Sequence, residues 1–203
     1  MDMSGVFGWR SKKTFSFDQD AVSDGQLQSK LWLLTELAQV RPQLPARVKR
    51  IAHLAGWNGL LGFLLCSRQE FSSWNYILID RDLQALRQAR HLNSSWRHLR
   101  RYEDRHSDIH SWLPSELTAQ DLVVNTSVEH FSSDRWFDLI PAETVCVLQS
   151  TDLVHHEHVS PVSSLSELRA RFPRIEPIFQ GERTFDYGPV RFNRFMLIGV
   201  TKS

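Results

Sequence analysis

Glu129 and His130 follow directly on an apolar run, Asp121-Leu122-Val123-Val124-Asn125, and a carboxylate beside an imidazole can take and deliver a proton. A second group of such side chains, Val154-His155-His156-Glu157-His158-Val159, follows the next apolar run. Histidine and glutamate are also metal ligands, but neighbours in an extended loop point different ways and this loop holds no i, i+4 pair. It is therefore expected to hold no metal; His155 and His158 are expected to act as a base or as substrate contacts, the alternative being a plain exposed polar loop. Upstream, Ile51-Ala52-His53-Leu54-Ala55-Gly56-Trp57-Asn58-Gly59-Leu60-Leu61-Gly62 reads as a buried strand, a glycine turn and the start of a helix. A second apolar run, Tyr76-Ile77-Leu78-Ile79, ends in Asp80, roughly twenty residues beyond the glycines. A glycine turn followed at that distance by an acid is the pattern of a crevice for a nucleotide or nucleoside, with the carboxylate accepting from ribose hydroxyls. The glycines are expected to admit a ligand and a helix where a Cβ would stand.

These groups need elements to hold them, and the chain supplies alternating strands and helices. Residues 1–44 read as a polar arm with scattered aromatics (Phe7, Trp9, Phe15, Phe17) and then a helix. Asp24 is the expected cap of that helix, with Leu27, Leu31, Leu34 and Leu37 at helical spacing and prolines at Pro42 and Pro45 ending it. The rest, 45–203, reads as one domain. Strands are expected at 48–55, 75–80, 98–102, 121–125 and 144–148, and a polar loop at 103–111. A helix over 82–94 should bury Leu83 and Leu86 and turn a basic face outward. A short helix through Trp136 and Phe137 and another capped by Ser163 or Ser164 complete the alternation. Two final strands, 175–180 and 192–200, flank a turn-rich 181–191. The pattern is α/β: a doubly wound, mostly parallel seven-stranded sheet with a C-terminal antiparallel strand. Ligands of such sheets bind at the carboxyl ends of the strands, where the strand order reverses.

The chain of 203 residues is long enough for one core-bearing domain, and its 41% apolar and 23% charged residues suit a globular protein. A net charge of +1 makes no electrostatic case for nucleic acid, despite the Arg and His density from Arg87 to Arg105. Cys66 and Cys146 lie in apolar surroundings and read as reduced cysteines of a cytoplasmic protein. No apolar run is long enough for a signal peptide or a membrane span. The expected partner is a small molecule, with a homodimer left open.

Across about 45–200 the order of elements resembles the class I S-adenosylmethionine-dependent methyltransferases. Gln28-Ser29-Lys30-Leu31-Trp32-Leu33, Ala55-Gly56-Trp57-Asn58-Gly59, Asn125-Thr126-Ser127-Val128-Glu129-His130 and Leu148-Gln149-Ser150 with Glu157-His158-Val159 are similar to motifs of a bacterial and phage branch of that family. The resemblance implies S-adenosylmethionine as cofactor. It places Gly56, Trp57, Asn58, Gly59 and Asp80 against it, Asp104 or Asp108 near adenine, and Asn125, Thr126 and Ser127 beside the sulfonium. Glu129, His130 and Asn125 are then the catalytic candidates, and Trp32, His155 and His158 the substrate contacts. Trp57, Trp32 and Phe131 are able to face a sulfonium as aromatics face an ammonium. Each also suits plainer work: Glu129 and His130 as caps of a following helix, Trp32 as core. The family's acid in the first strand is replaced by His53-Leu54.

The implied activity is methyl transfer to a small molecule. A second reading keeps the cofactor and breaks another bond. Attack at its γ-carbon moves a 3-amino-3-carboxypropyl group, or closes azetidine-2-carboxylate and releases methylthioadenosine. A third is a degenerate fold kept as a binding module.

Overall fold

The computed structural model describes residues 23–188 and 190–203. The expected aromatic arm over 1–22 lies outside the described residues. Helix α1 (Asp24–Val40) leads into strand β1 (Arg50–Leu54), the glycine turn and helix α2 (Leu60–Cys66). Then come β2 (Asn75–Asp80), α3 (Leu83–Leu92), α4 (Ser94–His98), β3 (Tyr102–His106) and α5 (Ile109–Glu116). The chain ends with β4 (Asp121–Asn125), α6 (Arg135–Asp138), β5 (Val145–Thr151), α7 (Leu165–Arg171), β6 (Ile175–Asp186) and β7 (Arg191–Thr201).

The strands form one sheet in the order β3-β2-β1-β4-β5-β7-β6. β7 is antiparallel to both its neighbours and the remaining pairs are parallel. Strand order reverses between β1 and β4, which is the switch point of a doubly wound sheet. Because side chains alternate along a strand, each strand feeds both faces. Ile51, Tyr76, Leu78, Leu122, Val124, Val145 and Val147 face Trp32, Leu33, Leu34 and Leu37 of α1, with Leu61, Leu65, Leu86 and Ala89 of α2 and α3. Ala52, Leu54, Ile77, Ile79, Val123, Cys146 and Leu148 face Trp112 and Leu113 of α5, Trp136 and Phe137 of α6, and Leu168 and Phe172 around α7. The fully buried central strands explain the continuous apolar runs in the sequence.

Several expectations are corrected. α1 begins at Asp24, so Ser23 and not Asp24 occupies the cap position, without a side-chain cap bond among the described residues. The expected 82–94 helix is two, α3 and α4, and Leu83 is 45% exposed while Ala85, Leu86, Gln88 and Ala89 face inward. The expected polar loop at 103–111 is largely β3 followed by the start of α5. β3 is an edge strand with only Tyr102 buried, so its sequence lacks the apolar alternation of a strand. α5 carries an internal Pro114, which hides a helix from a periodicity search. β6 and β7 extend as a hairpin through most of 181–191, with Gly181 inside β6. Ser164 is the cap of α7, accepting from the Glu167 amide at 3.2 Å. Among the described residues, no helix is long and apolar enough to cross a membrane.

Candidate functional site

The carboxyl ends of β1, β2, β4 and β5 open into a cavity of about 1140 Å³, also lined by the start of α1 and by Tyr187, Val190, Phe192 and Arg194 of the hairpin. Its lining includes Gly56, Trp57, Asn58, Asp80, Asp108, Thr126, Ser127, His130, His155 and His158. Most of the predicted site residues therefore share one crevice. Gly59, Asn125, Glu129 and Trp32 are not part of its wall.

At the glycine end, Asp80 organises the loop. One of its carboxylate oxygens accepts from the Trp57 amide at 2.9 Å and the other from the Asp82 amide at 2.9 Å. The first bond holds Trp57 at φ 54°, a left-handed conformation that a bulky residue adopts only when held there. Burial pushes the Asp80 carboxyl above its usual range, against the backbone bonds that lower it. The expected reason for the glycines changes. A Cβ on Gly56 would meet Leu78 Cδ1 at 2.3 Å and His53 Nδ1 at 2.4 Å, and one on Gly59 would meet the Tyr102 hydroxyl at 2.7 Å. Packing of the loop onto its own floor, not ligand approach, requires these two glycines. Gly59 further sits at φ 72°, where a side chain is strained.

His53, standing where the resembled family keeps an acid, is fully buried in this floor. Its ring nitrogens meet the Tyr76 hydroxyl and Thr126 Oγ1, the latter at 3.2 Å, so it ties β1, β2 and β4 together. Burial, with Lys30 nearby, drives its pKa down to about 3 and leaves it a neutral structural group.

Of the two adenine candidates, Asp104 is committed elsewhere. Its carboxylate, 3% exposed, pairs with Arg90 at 2.5 Å and Arg97 at 3.7 Å. Asp108 lines the cavity and caps α5, accepting from the His110 amide at 2.8 Å. That bond, ahead of the His110 ring, holds its carboxyl below the usual range.

At the opposite end, Asn125 is buried beneath Thr126 and Ser127. Its Oδ1 accepts from the Ser127 amide at 3.0 Å, while its Nδ2 has no partner among the described residues. Glu129 is completely buried and neither carboxylate oxygen has a hydrogen-bond partner among the described residues; Arg194 Nη2 stands 3.7 Å from one of them. His130 and His158 meet edge to face with ring centroids 4.9 Å apart, and His155 lies 5.4 Å from His158. The ligating atoms of Glu129, His130 and His158 all lie within 4.8 Å of one another. Trp32 belongs to the core instead: it is 7% exposed, and its indole N–H donates to Glu36 at 3.1 Å.

Two cavity residues were not singled out from the sequence. Arg194, 8% exposed, donates to the Thr126 carbonyl at 3.0 Å. Lys30, 7% exposed, has its pKa lowered to about 7 by burial, with Arg194 adding to the effect and Glu129 opposing it. The available signal is positional. Lys30, Leu33, Leu34 and Leu37 form one helical stripe, and a lysine stands there where a leucine would pack.

No known protein family and no curated protein matches the chain by sequence. The structure is similar to a candidate sarcosine dimethylglycine methyltransferase from Galdieria sulphuraria (TM-score 0.62, 9% identity, covering 87% of this chain and 86% of that one). It is also similar to a candidate RNA methyltransferase from Pyrococcus horikoshii (TM-score 0.59, 10% identity, 90% and 86%). A third likeness is to the bifunctional kinase-methyltransferase WbdD (TM-score 0.58, 19% identity), where 91% of this chain spans 42% of the other. At these identities the likeness is one of fold, and the chain has the fold of the class I S-adenosylmethionine-dependent methyltransferases.

Proposed function

We propose that the crevice binds S-adenosylmethionine and that the protein transfers its methyl group to a small molecule. The Asp80–Trp57 bond supports this reading most directly. In a dinucleotide fold the loop amides are left free for a pyrophosphate. Here the Trp57 amide is taken by Asp80, and the same end of the cavity carries Asp80, Asp82 and Asp108 beside a single arginine, Arg81. That acid-rich lining suits ribose hydroxyls and an exocyclic amine and disfavours phosphate. The Asp80 carboxylate, which accepts from the Trp57 and Asp82 amides and interacts with the Arg81 amide, has lone-pair capacity left for a hydroxyl, since two ionised oxygens offer about four acceptor positions.

Bound there, the cofactor would supply a methyl group on a sulfonium. The protein's share is placement and proton handling. Thr126 and Ser127 form the wall nearest the end of β4, and Trp57 and Phe131 offer aromatic faces in the same cavity. Lys30, with a pKa of about 7, is matched to removing a proton from an acceptor amine or hydroxyl near neutral pH. Glu129 has no exposed surface from which to do so. The cavity volume of about 1140 Å³ exceeds the roughly 300–1,000 Å³ of ordinary small-molecule sites, which leaves room for an acceptor beside the cofactor. It favours methyl transfer over a one-substrate cyclisation.

The test is calorimetric titration with S-adenosylmethionine, followed by mass spectrometry with a panel of small amines, hydroxy acids and thiols. Binding, with S-adenosylhomocysteine formed only when an acceptor is added, is expected. Methylthioadenosine released from the cofactor alone would overturn methyl transfer in favour of attack at the γ-carbon. Absence of binding would overturn the cofactor assignment as well.

A further inference from the structure

We propose that His130 and His158, in the wall of the crevice, and Glu129, buried behind it, form a binding site for a divalent transition-metal ion. The loop after β5 lacks a ligand pair of its own, and the fold supplies what it lacks by bringing the loop after β4 against it. The amides of Val159 and Ser160 both donate to the Glu129 carbonyl at 2.9 Å, and Ser160 Oγ donates to the Phe131 carbonyl at 2.7 Å. The two loops are thereby stapled at the level of their ligands.

Each ligand is prepared. His158 Nδ1 is 2.6 Å from the Leu153 carbonyl, so this nitrogen carries the proton and Nε2 is left with its lone pair. A second-sphere bond of this kind fixes tautomer and ring orientation at metal-bound histidines. The Glu129 carboxylate is fully buried and neither oxygen has a hydrogen-bond partner among the described residues, an arrangement that costs free energy unless something else meets it. Arg194 at 3.7 Å balances charge but is beyond hydrogen-bond reach, so no described residue uses the lone pairs. His130 and His158 both face the cavity.

Ligand atoms about 2.0–2.2 Å from an ion lie roughly 3–3.5 Å apart. Ligand atoms up to 4.8 Å apart must therefore close by roughly 1.3–1.8 Å around an ion, and His130, the exposed member of the three, is the side chain with room to move. Two imidazoles and one carboxylate suit zinc or ferrous iron and leave coordination positions open toward the cavity. An ion held there would bind an acceptor oxygen and lower its pKa. The proposal does not depend on the transfer reaction above, since the ion is measured without cofactor.

The 203-residue chain, dialysed against chelator and then against chelator-free buffer, is titrated with Co²⁺ and Zn²⁺. The readouts are calorimetry and the visible d–d absorption of bound cobalt. One ion per chain is expected, with affinity falling at least tenfold in His130→Ala, His158→Ala and Glu129→Gln, and unchanged in His156→Ala. Circular dichroism confirms that each variant is folded; if Glu129→Gln does not fold, the two histidine variants decide. Failure of the wild-type chain to bind either ion, or binding that survives both histidine substitutions, overturns the site. Neither outcome touches cofactor binding.

Discussion

A single lysine carries much of the chemical argument. A charged ammonium buried between Arg194 and the floor of the crevice is disfavoured, and the Lys30 pKa falls from 10.5 to about 7. The unfolded chain then binds a proton more readily than the folded one between these values. Lys30 therefore lowers stability increasingly as pH falls from about 10.5 to 7, and its contribution is absent above that window. Lys30→Met is expected to raise stability at pH 7 by about 2–4 kcal/mol, with the gain vanishing near pH 11, as measured by urea denaturation across that range. The same variant should lose most turnover, the trade expected where a functional group is held against its preference. Asp80→Ala should weaken cofactor binding by about 1–3 kcal/mol, read by calorimetric titration, because ribose hydroxyls would lose their acceptor. Sequence made Asp80 conspicuous, since an acid closing an apolar run has few other reasons to be there. It hid Lys30, because periodicity places a residue on a buried face without revealing whether that face meets core or cavity. Trp32 shows the same ambiguity from the other side: its place on an apolar helix face suited substrate contact or core, and its ring is core.

Among the elements, the glycine loop shows how a correct signal can have a different cause. Gly56 and Gly59 stand where a ligand-binding loop would have them, yet their missing Cβ atoms make room for His53, Leu78 and Tyr102. Gly56→Ala is thus expected to destabilise the protein by about 1–3 kcal/mol through overpacking of the floor, visible as a lower melting temperature with or without cofactor. Trp57→Gly should behave in the opposite sense. Relief of the left-handed backbone at φ 54° is worth about 1–2 kcal/mol, while the lost aromatic wall weakens cofactor binding. Comparing melting temperature with titrated affinity for the pair separates packing from recognition. The central strands were legible because burial on both faces writes continuous apolar runs. β3 and α5 were not, because an edge strand can alternate with charges and a helix can tolerate Pro114 near its C-terminal end. The histidine loop was legible as chemistry, but its partners Glu129 and His130 come from a different strand end.

For the molecule as a whole, the strand order concentrates function in one place. Groups from β1, β2, β4 and β5 meet only because the order reverses between β1 and β4, and α1 and β7 also line the cavity with Lys30 and Arg194. The alternation of strands and helices made this convergence readable in outline, while the side-chain pairing within it depended on loop conformations that periodicity does not encode. A ligand contacting four strand ends and α1 binds only the folded arrangement. S-adenosylmethionine at a hundred times its dissociation constant should therefore stabilise the fold by about 2.7 kcal/mol. For a domain of this length that corresponds to a rise in melting temperature of roughly 5–10 °C. Differential scanning calorimetry checks it, with adenosine and NAD⁺ at the same concentration as comparisons. Adenosine alone should give a smaller rise, since it reaches Asp80 and Asp108 but not the Lys30 end. NAD⁺ should give little, because the Trp57 amide that would meet its pyrophosphate is held by Asp80. Equal shifts from NAD⁺ and S-adenosylmethionine would contradict the acid-lined crevice as the basis of selectivity.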